Sequence, residues 1–563
     1  MKSAASKSTT SPHGGGVRGA DVGRRSSLFE GLFGRMFREL PPAAHDKAAL
    51  LKLGAAMIAD PEQEDGKPAA APETDERIQD DEENTGIAAG YTYFGQFIDH
   101  DITFDPVSSL MQQNDPDALV DFRTPRLDLD SLYGRGPAEQ PYLYDGIKLR
   151  LGRPLFEGSQ PSPSHDVPRF IDQQKPKAAR RALIGDKRND ENVIVSQLQS
   201  TFLQFHNRLC DDARLGQPSF EQVQRLVRWH YQYVVVNDFL VRICGQAVVD
   251  DILPKRLQDA PAAQKKPRLQ FFHWRHDPFM PIEFAAAAYR FGHSMVRPVY
   301  RLNTQLKGGD KPDAATPDEV KRGLAGRFFI FAGVHKRGLN GFDEFPKEWA
   351  IDWSLFFDIK GSGALGGKRR VQPSYKIDTS LVNPLGFLPE FSKTVAQSGP
   401  LTIPQLQAKP LDPVNDPAVL ATRNLLRGHS MKLPSGQSVA RAMGLKPIAD
   451  DDLRVGKAIV DELPTAKKLT DIDPGFADNA PLWYYVLAEA QHHWLQQATA
   501  PHGKGNEQPL HLGPVGARIV AETIIGLIAG DGHSYLCQDP NWVPLVGGRH
   551  SDVGKLIEYA LAL

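Results

Sequence analysis

The stretch Gly185–Cys210, GDKRNDENVIVSQLQSTFLQFHNRLC, decides how this chain folds. Within it Ile194, Leu198, Phe202, Phe205 and Leu209 stand 4, 4, 3 and 4 residues apart. At 3.6 residues per turn that spacing puts all five on one stripe, so the segment reads as a helix buried along that face. Towards the C-terminus, Ser219-x-x-Gln222 is a capping box opening a second helix, whose apolar positions are Val223, Leu226, Val227 and Val234. Segments that alternate with the period of a strand are scarce, and Pro/Gly-rich stretches such as 308–317 and 397–413 separate helices rather than hairpins. The fold class expected is mainly α, one large helical domain with little β structure. No repeat of 20–50 residues is present, which argues against a helical solenoid.

Towards the N-terminus, residues 1–26 are rich in Ser, Gly and Arg without apolar periodicity, and disorder is expected there. From Leu28 the apolar residues Leu28, Phe29, Leu32, Phe33, Met36, Phe37 and Leu40 recur at helical spacing until Pro41-Pro42. A short amphipathic helix is expected, its Arg35 and Arg38 on the polar side, docked on the body or lying on a membrane surface. Asp60 to Asn84 reads as a solvated acidic loop. The expected organisation is an extension (1–26), a lead-in of helix and loop (27–84) and one large domain (85–563).

The chain has 563 residues, with Lys+Arg 66 against Asp+Glu 68 and a formal net charge of -2. It carries neither a basic stripe nor a reader motif, so no nucleic-acid partner is expected. No stretch reaches the roughly 18 apolar residues that a membrane-spanning helix needs, so no transmembrane segment is expected. Met1 to Lys7 has the charge of a secretory signal without the apolar run that follows one. Cys210, Cys244 and Cys537 are odd in number and have no C-x-x-C pairing; they read as buried small hydrophobes. The location expected is cytoplasmic, or secreted without a cleavable signal.

Four clusters carry chemistry. In Gly95-Gln-Phe-Ile-Asp-His-Asp101, Gln96 and His100 share a helical face while Asp99 and Asp101 are each turned by about 100° from His100. A lone His is often a satisfied core residue, but carboxylates on both sides of an imidazole call for metals, covalent partners or solvent. In Thr124-Pro-Arg-Leu-Asp-Leu-Asp130, oxygens from Thr124, Asp128 and Asp130 and the carbonyl of Arg126 make a hard-cation loop if Asp101 closes it; otherwise this is a solvated turn. In Gly185–Asn192, Asp190 and Glu191 suit a helix start, whereas Arg188 needs a reason of its own. The fourth cluster pairs Arg290-x-x-His293 with Asn424-x-x-Arg427, members three apart sharing a helical face. The fingerprint-like Gly361-x-Gly363-x-x-Gly366 runs into Lys368-Arg369-Arg370 and Pro373 instead of a helix and is set aside, as are His273-x-x-His276 and His492-His493, which lack matching acid or cysteine ligands.

The runs GQFIDHD, TPRLDLDSLYG, GDKRNDE, HNRL, YRFGH and NLLR occur in the order seen in animal-type haem peroxidases, and from about Thr85 to Trp542 the chain resembles that peroxidase–cyclooxygenase superfamily. The resemblance implies haem b and Ca2+ as cofactors. It implies hydrogen peroxide and a small reductant (halide, thiocyanate or phenol) as substrates, turned over through a ferryl intermediate. His100 matches the distal histidine, Gln96 the distal glutamine and Arg188 the distal arginine. Asp101, Thr124, Arg126 through its carbonyl, Asp128 and Asp130 match the calcium site. His293 is similar to the iron ligand and Asn424 to its hydrogen-bond acceptor, with Arg290 and Arg427 similar to propionate-binding arginines. Asp99 and Glu191 fall where mammalian members form ester links to haem. Asn192 replaces the methionine of the neutrophil member, which leaves no sulfonium link. Cyclooxygenases carry a radical-forming tyrosine three residues before the proximal histidine; here that position is Arg290, with Tyr289 one residue earlier. Fatty-acid oxygenation is the second enzymatic reading, and a haem-bearing module without turnover is a third.

Overall fold

The structure, a computed structural model, describes residues 31–59, 81–103, 120–121, 124–175, 178–254, 266–306, 327–331, 338–364, 369–386, 388 and 419–563. The expected disorder of 1–26, the loops 308–317 and 397–413 and most of the acidic stretch 60–84 lie outside these residues. The core is carried by helices α1 (Lys47–Ala56), α2 (Gly90–Ile102), α3 (Val193–Cys210), α4 (Phe220–Val234), α5 (Leu420–Ser430), α6 (Leu482–Ala498), α7 (Pro514–Gly530) and α8 (Val553–Leu561). Strands among the described residues form one three-stranded and several two-stranded sheets, so the class is mainly α.

Helix α3 forms where its stripe predicts and is buried on nearly every face, because α2, α4 and α8 pack around it. Asn192 caps it, accepting from the amides of Ile194 at 3.1 Å and Val195 at 2.9 Å. The capping box of Ser219 and Gln222 opens α4 as expected. Aromatic packing fixes α2 against these helices. Phe97 stacks on Phe202 at 4.9 Å, and Phe94 meets Tyr231 and Phe239 edge-on at 6.1 and 5.8 Å. At the start of α2, a Cβ on Gly90 would stand 2.4 Å from the ring of Phe357 and 2.5 Å from the carbonyl of Phe356, so only glycine lets the helix enter here.

Three expectations are corrected. Within the stretch read as a helix from Leu28 to Leu40, residues 31–34 form a strand instead. Gly31–Gly34 pairs antiparallel with Val120–Asp121 and parallel with Met280–Pro281. Two glycines weaken a helix there, and tertiary partners take over the backbone: the buried carboxylate of Glu283 accepts from the amides of Met36 and Phe37 at 3.0 and 3.1 Å. Arg35 donates to the carbonyls of Lys432 and Met431, and Arg38 lies over Phe279, so this segment docks on the body. The end of the acidic stretch is strand, Glu83–Ala88 pairing with Pro373–Tyr375. Among the cysteines only Cys244 is buried; Cys210 is partly buried and Cys537 exposed. At the set-aside glycine fingerprint, the described residues Ser362–Ala364 form a 3-10 turn.

Candidate active site

His100 sits near the end of α2 and His293 ends the 3-10 helix Ala288–His293; both open on one cavity of about 340 Å³. Gln96, Asp99, Arg188, Glu191 and Arg290 also line it, together with Tyr91, Tyr289, Phe291, Ile330 and Leu388. Burial, and secondarily the charge of Arg188, lowers the pKa of His100 to about 4, against the opposing pull of Asp186, Asp99 and Asn189. Burial and then Arg290 lower that of His293 to about 3. Two neutral imidazoles therefore face one space.

Around His100, the ring Nδ1 is 2.7 Å from Asn189 Oδ1, and Nε2 is 3.8 Å from Glu191 Oε2. Gln96 Nε2 donates to that same Glu191 oxygen at 2.8 Å, and its Oε1 accepts from Asn192 at 3.1 Å. Asp99 Oδ1 accepts from the Thr103 hydroxyl at 3.1 Å. Arg188 is held by Asp186 (2.8 Å) and donates to the carbonyls of His100 (2.9 Å) and Thr103 (2.6 Å), where its charge also suits the C-terminal end of α2. The arginine thus grips the backbone that carries His100 as well as lining the cavity.

On the other side, Asn424 of α5 reaches His293, but with a different polarity from that expected. Its Nδ2 lies 2.7 Å from His293 Nδ1, while its Oδ1 accepts from Arg290 Nη1 at 3.0 Å. A guanidinium is the stronger claimant on a carbonyl oxygen, which turns the amide nitrogen to the ring. Arg290 and His293 do share a face, through a 3-10 rather than an α-helical turn. Arg427 is not among the cavity-lining residues; Arg423, one turn earlier on the same face of α5, is. The i, i+4 spacing of the two arginines was the available signal for Arg423.

Asp101, Asp128 and Asp130 come together, with ligand oxygens within 4.8 Å of one another. The Thr124 hydroxyl donates to Asp128 at 2.9 Å, and the amide of Arg126 closes the turn on the Thr124 carbonyl. Asp101 accepts from the amide of Leu129 and the hydroxyl of Ser131, each at 3.1 Å. Burial raises the pKa of Asp128, against Arg228 and Thr124. The amide of Asp186 donates to the Ser131 carbonyl at 3.0 Å, so this acidic loop braces both α2 and the turn that bears Arg188.

The family model for animal haem peroxidases matches residues 107–318. Heme peroxidase 2 of Caenorhabditis elegans is 28% identical over 119 residues, 20% of this chain and 16% of that protein. Chorion peroxidase of Aedes aegypti is 28% identical over 131 residues, 22% and 15% of the two chains. Mouse myeloperoxidase is 25% identical over 134 residues, 22% and 16%. The matched segment thus spans about a sixth of each of these relatives. In fold, the chain is similar to the fatty acid alpha-dioxygenase of Arabidopsis thaliana, at 14% identity and TM-score 0.52 over 92% of this chain and 76% of that one. The rice fatty acid alpha-dioxygenase matches at 14% identity and TM-score 0.52, over 92% and 77%. Over residues 107–318 the chain thus matches the animal haem peroxidase family, and its fold is similar to that of the fatty acid alpha-dioxygenases. Among the described residues, no helix is long and apolar enough to cross a membrane.

Proposed function

We propose that the protein is a haem-dependent peroxidase that reduces hydrogen peroxide and oxidises a small reductant such as a halide, thiocyanate or a phenol, with residues 85–563 acting as the catalytic domain. The observation that carries this reading is the pair of neutral imidazoles, His100 buried and His293 partly buried, opening on one cavity beside Arg188 and Arg290. That donor set suits haem b: His293 as the protein ligand to iron, aromatic walls from Tyr289 and Phe291, and Arg290 with Arg423 or Arg427 for the propionates. Bound there, haem would supply the redox-active iron at which the O–O bond of peroxide is cleaved.

The chain's own part is proton handling and charge. His100, neutral, takes the proton from one peroxide oxygen at its Nε2 and returns it to the other. While the ring is charged, Glu191 at 3.8 Å stabilises it as long as its carboxylate is free, a charge that an ester link would remove. Arg188 remains cationic and favours negative charge developing on oxygen in the cavity. For ligation through Nε2, His293 must carry its proton on Nδ1, which requires the Asn424 amide to turn its oxygen to the ring and release Arg290.

Calcium at Asp101, Thr124, Arg126, Asp128 and Asp130 would neutralise the carboxylate cluster and hold α2 to the Arg188 turn. Asp99 and Glu191, both on the cavity wall, are the carboxylates proposed to form ester links to haem. Denaturing mass spectrometry after brief peroxide treatment tests those links: a haem adduct lost in the Asp99→Ala/Glu191→Ala double variant supports them, and free haem from treated wild type rules them out.

A second reading, fatty-acid oxygenation, is favoured by one feature. Tyr289 lines the cavity, its hydroxyl donating to the Gly95 carbonyl of α2 at 3.2 Å. Steady-state turnover with peroxide, scored on bromide, iodide and a phenol against oxygenated products of linoleate, separates the two. Oxidation of the donors without linoleate products is the expected result. Inertness to every substrate would leave only a haem-binding module.

A further inference from the structure

We propose that Asn189 and Gln199 form a buried amide relay that fixes the proton of His100 on Nδ1 and so leaves Nε2 bare toward the cavity. The inference rests on the reading of His100 as the proton acceptor and adds two positioning residues that the motifs do not reveal. Asn189 Oδ1 stands 2.7 Å from His100 Nδ1, and Asn189 Nδ2 donates to Gln199 Oε1 at 2.8 Å. Both amides are fully buried, so no bulk water competes for the ring nitrogen. An amide whose nitrogen is committed to Gln199 offers the ring only its oxygen, an acceptor. A neutral imidazole has one N–H and one lone pair. The N–H therefore turns to Asn189 and the lone pair falls on Nε2, where a proton from peroxide must be received.

The scaffold holds the relay from both ends. Asn189 lies in the 3-10 turn Lys187–Asp190, whose cap Asp186 accepts from the amide of Arg188 at 2.8 Å. From the same turn the Arg188 side chain binds the carbonyl of His100 at 2.9 Å. Adjacent residues of one turn thus hold the backbone and the ring of His100. Gln199 belongs to α3, which packs against α2; its Oε1 receives Asn189, and its Nε2 is buried without a hydrogen-bond partner. Without Asn189 the ring loses its fixed partner, and a neutral ring carrying its proton on Nε2 presents a donor where the reaction needs an acceptor.

The test uses the haem-loaded protein with cyanide and peroxide as probes. Cyanide binds as an anion, so hydrogen cyanide must surrender its proton in the cavity, and its association is read from the haem absorbance without turnover. Asn189→Leu is expected to slow both cyanide association and the reaction with peroxide by about 10- to 100-fold. Haem content and the later oxidation of a phenol should be unchanged, while the unfolding midpoint should fall, because the His100 N–H and the Gln199 oxygen lose a buried partner. Asn189→Asp, which keeps an acceptor oxygen, is expected to recover both rates, and Gln199→Leu to lose several-fold. Nitrogen-15 histidine NMR of the reduced, carbon-monoxide-bound protein, with His100 assigned by the loss of its signals in His100→Ala, reads the tautomer directly. Proton on Nδ1 in the wild type is expected. Proton on Nε2, or wild-type cyanide and peroxide rates in an Asn189→Leu protein with full haem content, overturns the relay. If Asn189→Leu fails to hold haem, the NMR of the wild type and the rates of Gln199→Leu decide. An Nδ1 proton in a protein inert to peroxide would sink the proposed activity and leave the relay standing.

Discussion

Replacing Asp128 by Asn is expected to act in opposite directions with and without calcium. The oxygens of Asp101, Asp128 and Asp130 lie within 4.8 Å of one another, where two like charges repel by about 3 kcal/mol at an effective dielectric constant of ~20. Neutralising Asp128 removes two of the three repulsive pairs. Arg228, which lies near Asp128 and donates to its backbone carbonyl, and the donors from Leu129 and Ser131 already offset part of that strain. A net gain of about 2 kcal/mol is therefore expected for the metal-free variant over the metal-free wild type. In calcium the order reverses, because a cation present at about 1,000 times its dissociation constant adds about 4 kcal/mol to a protein that binds it. Equilibrium urea unfolding of both proteins, in chelator and in calcium, reads the two differences. Equal wild-type stability in the two buffers, or a variant that is weaker than wild type by the same amount in both, would refute the reasoning.

Three other outcomes follow from the packing and the charges. Phe97→Ala removes the ring stacked on Phe202 and should cost about 3–5 kcal/mol in urea unfolding, loosening the helix that carries His100. Glu489 is fully buried, and burial, against the amides of Val515 and Gly516, raises its pKa from the ordinary 4.5 to about 8. Because the folded value is the higher one, its contribution is present below about pH 4.5 and is lost as pH rises through about 8, by up to about 5 kcal/mol. Unfolding free energies of Glu489→Gln should therefore decline less than those of wild type between pH 5 and 9; parallel declines would exclude this carboxyl as the cause. Arg423→Ala should weaken haem binding more than Arg427→Ala in a titration of the haem-free protein, since only Arg423 lines the cavity.

What was legible in the sequence was whatever one helix could state alone. The stripe from Ile194 to Leu209, the Ser219–Gln222 box and the Gln96–His100 face each need only local periodicity, and each is found in the structure. Most of the differences involve partners distant in sequence. The apolar rhythm from Leu28 to Leu40 is helical, yet strand pairing with Val120 and Met280 and the carboxylate of Glu283 claim the backbone. Helix α1 is the exception, since its signals are local: Asp46 accepts from the amide of Ala48 at its start, and Leu50 and Leu53 are buried. Asn189 could not be singled out, because its role exists only once the 3-10 turn is folded against α2. The polarity of Asn424 depends likewise on Arg290, 134 residues away.

The central claim is that His100 handles the peroxide proton in a haem-bearing cavity. Stopped-flow mixing of the haem-loaded protein with peroxide tests it most directly, comparing wild type with His100→Ala at equal haem content. The account predicts a fall of about 100-fold or more in the second-order rate with the haem absorbance retained. A His100→Ala protein that binds haem and reacts with peroxide at the wild-type rate would contradict it.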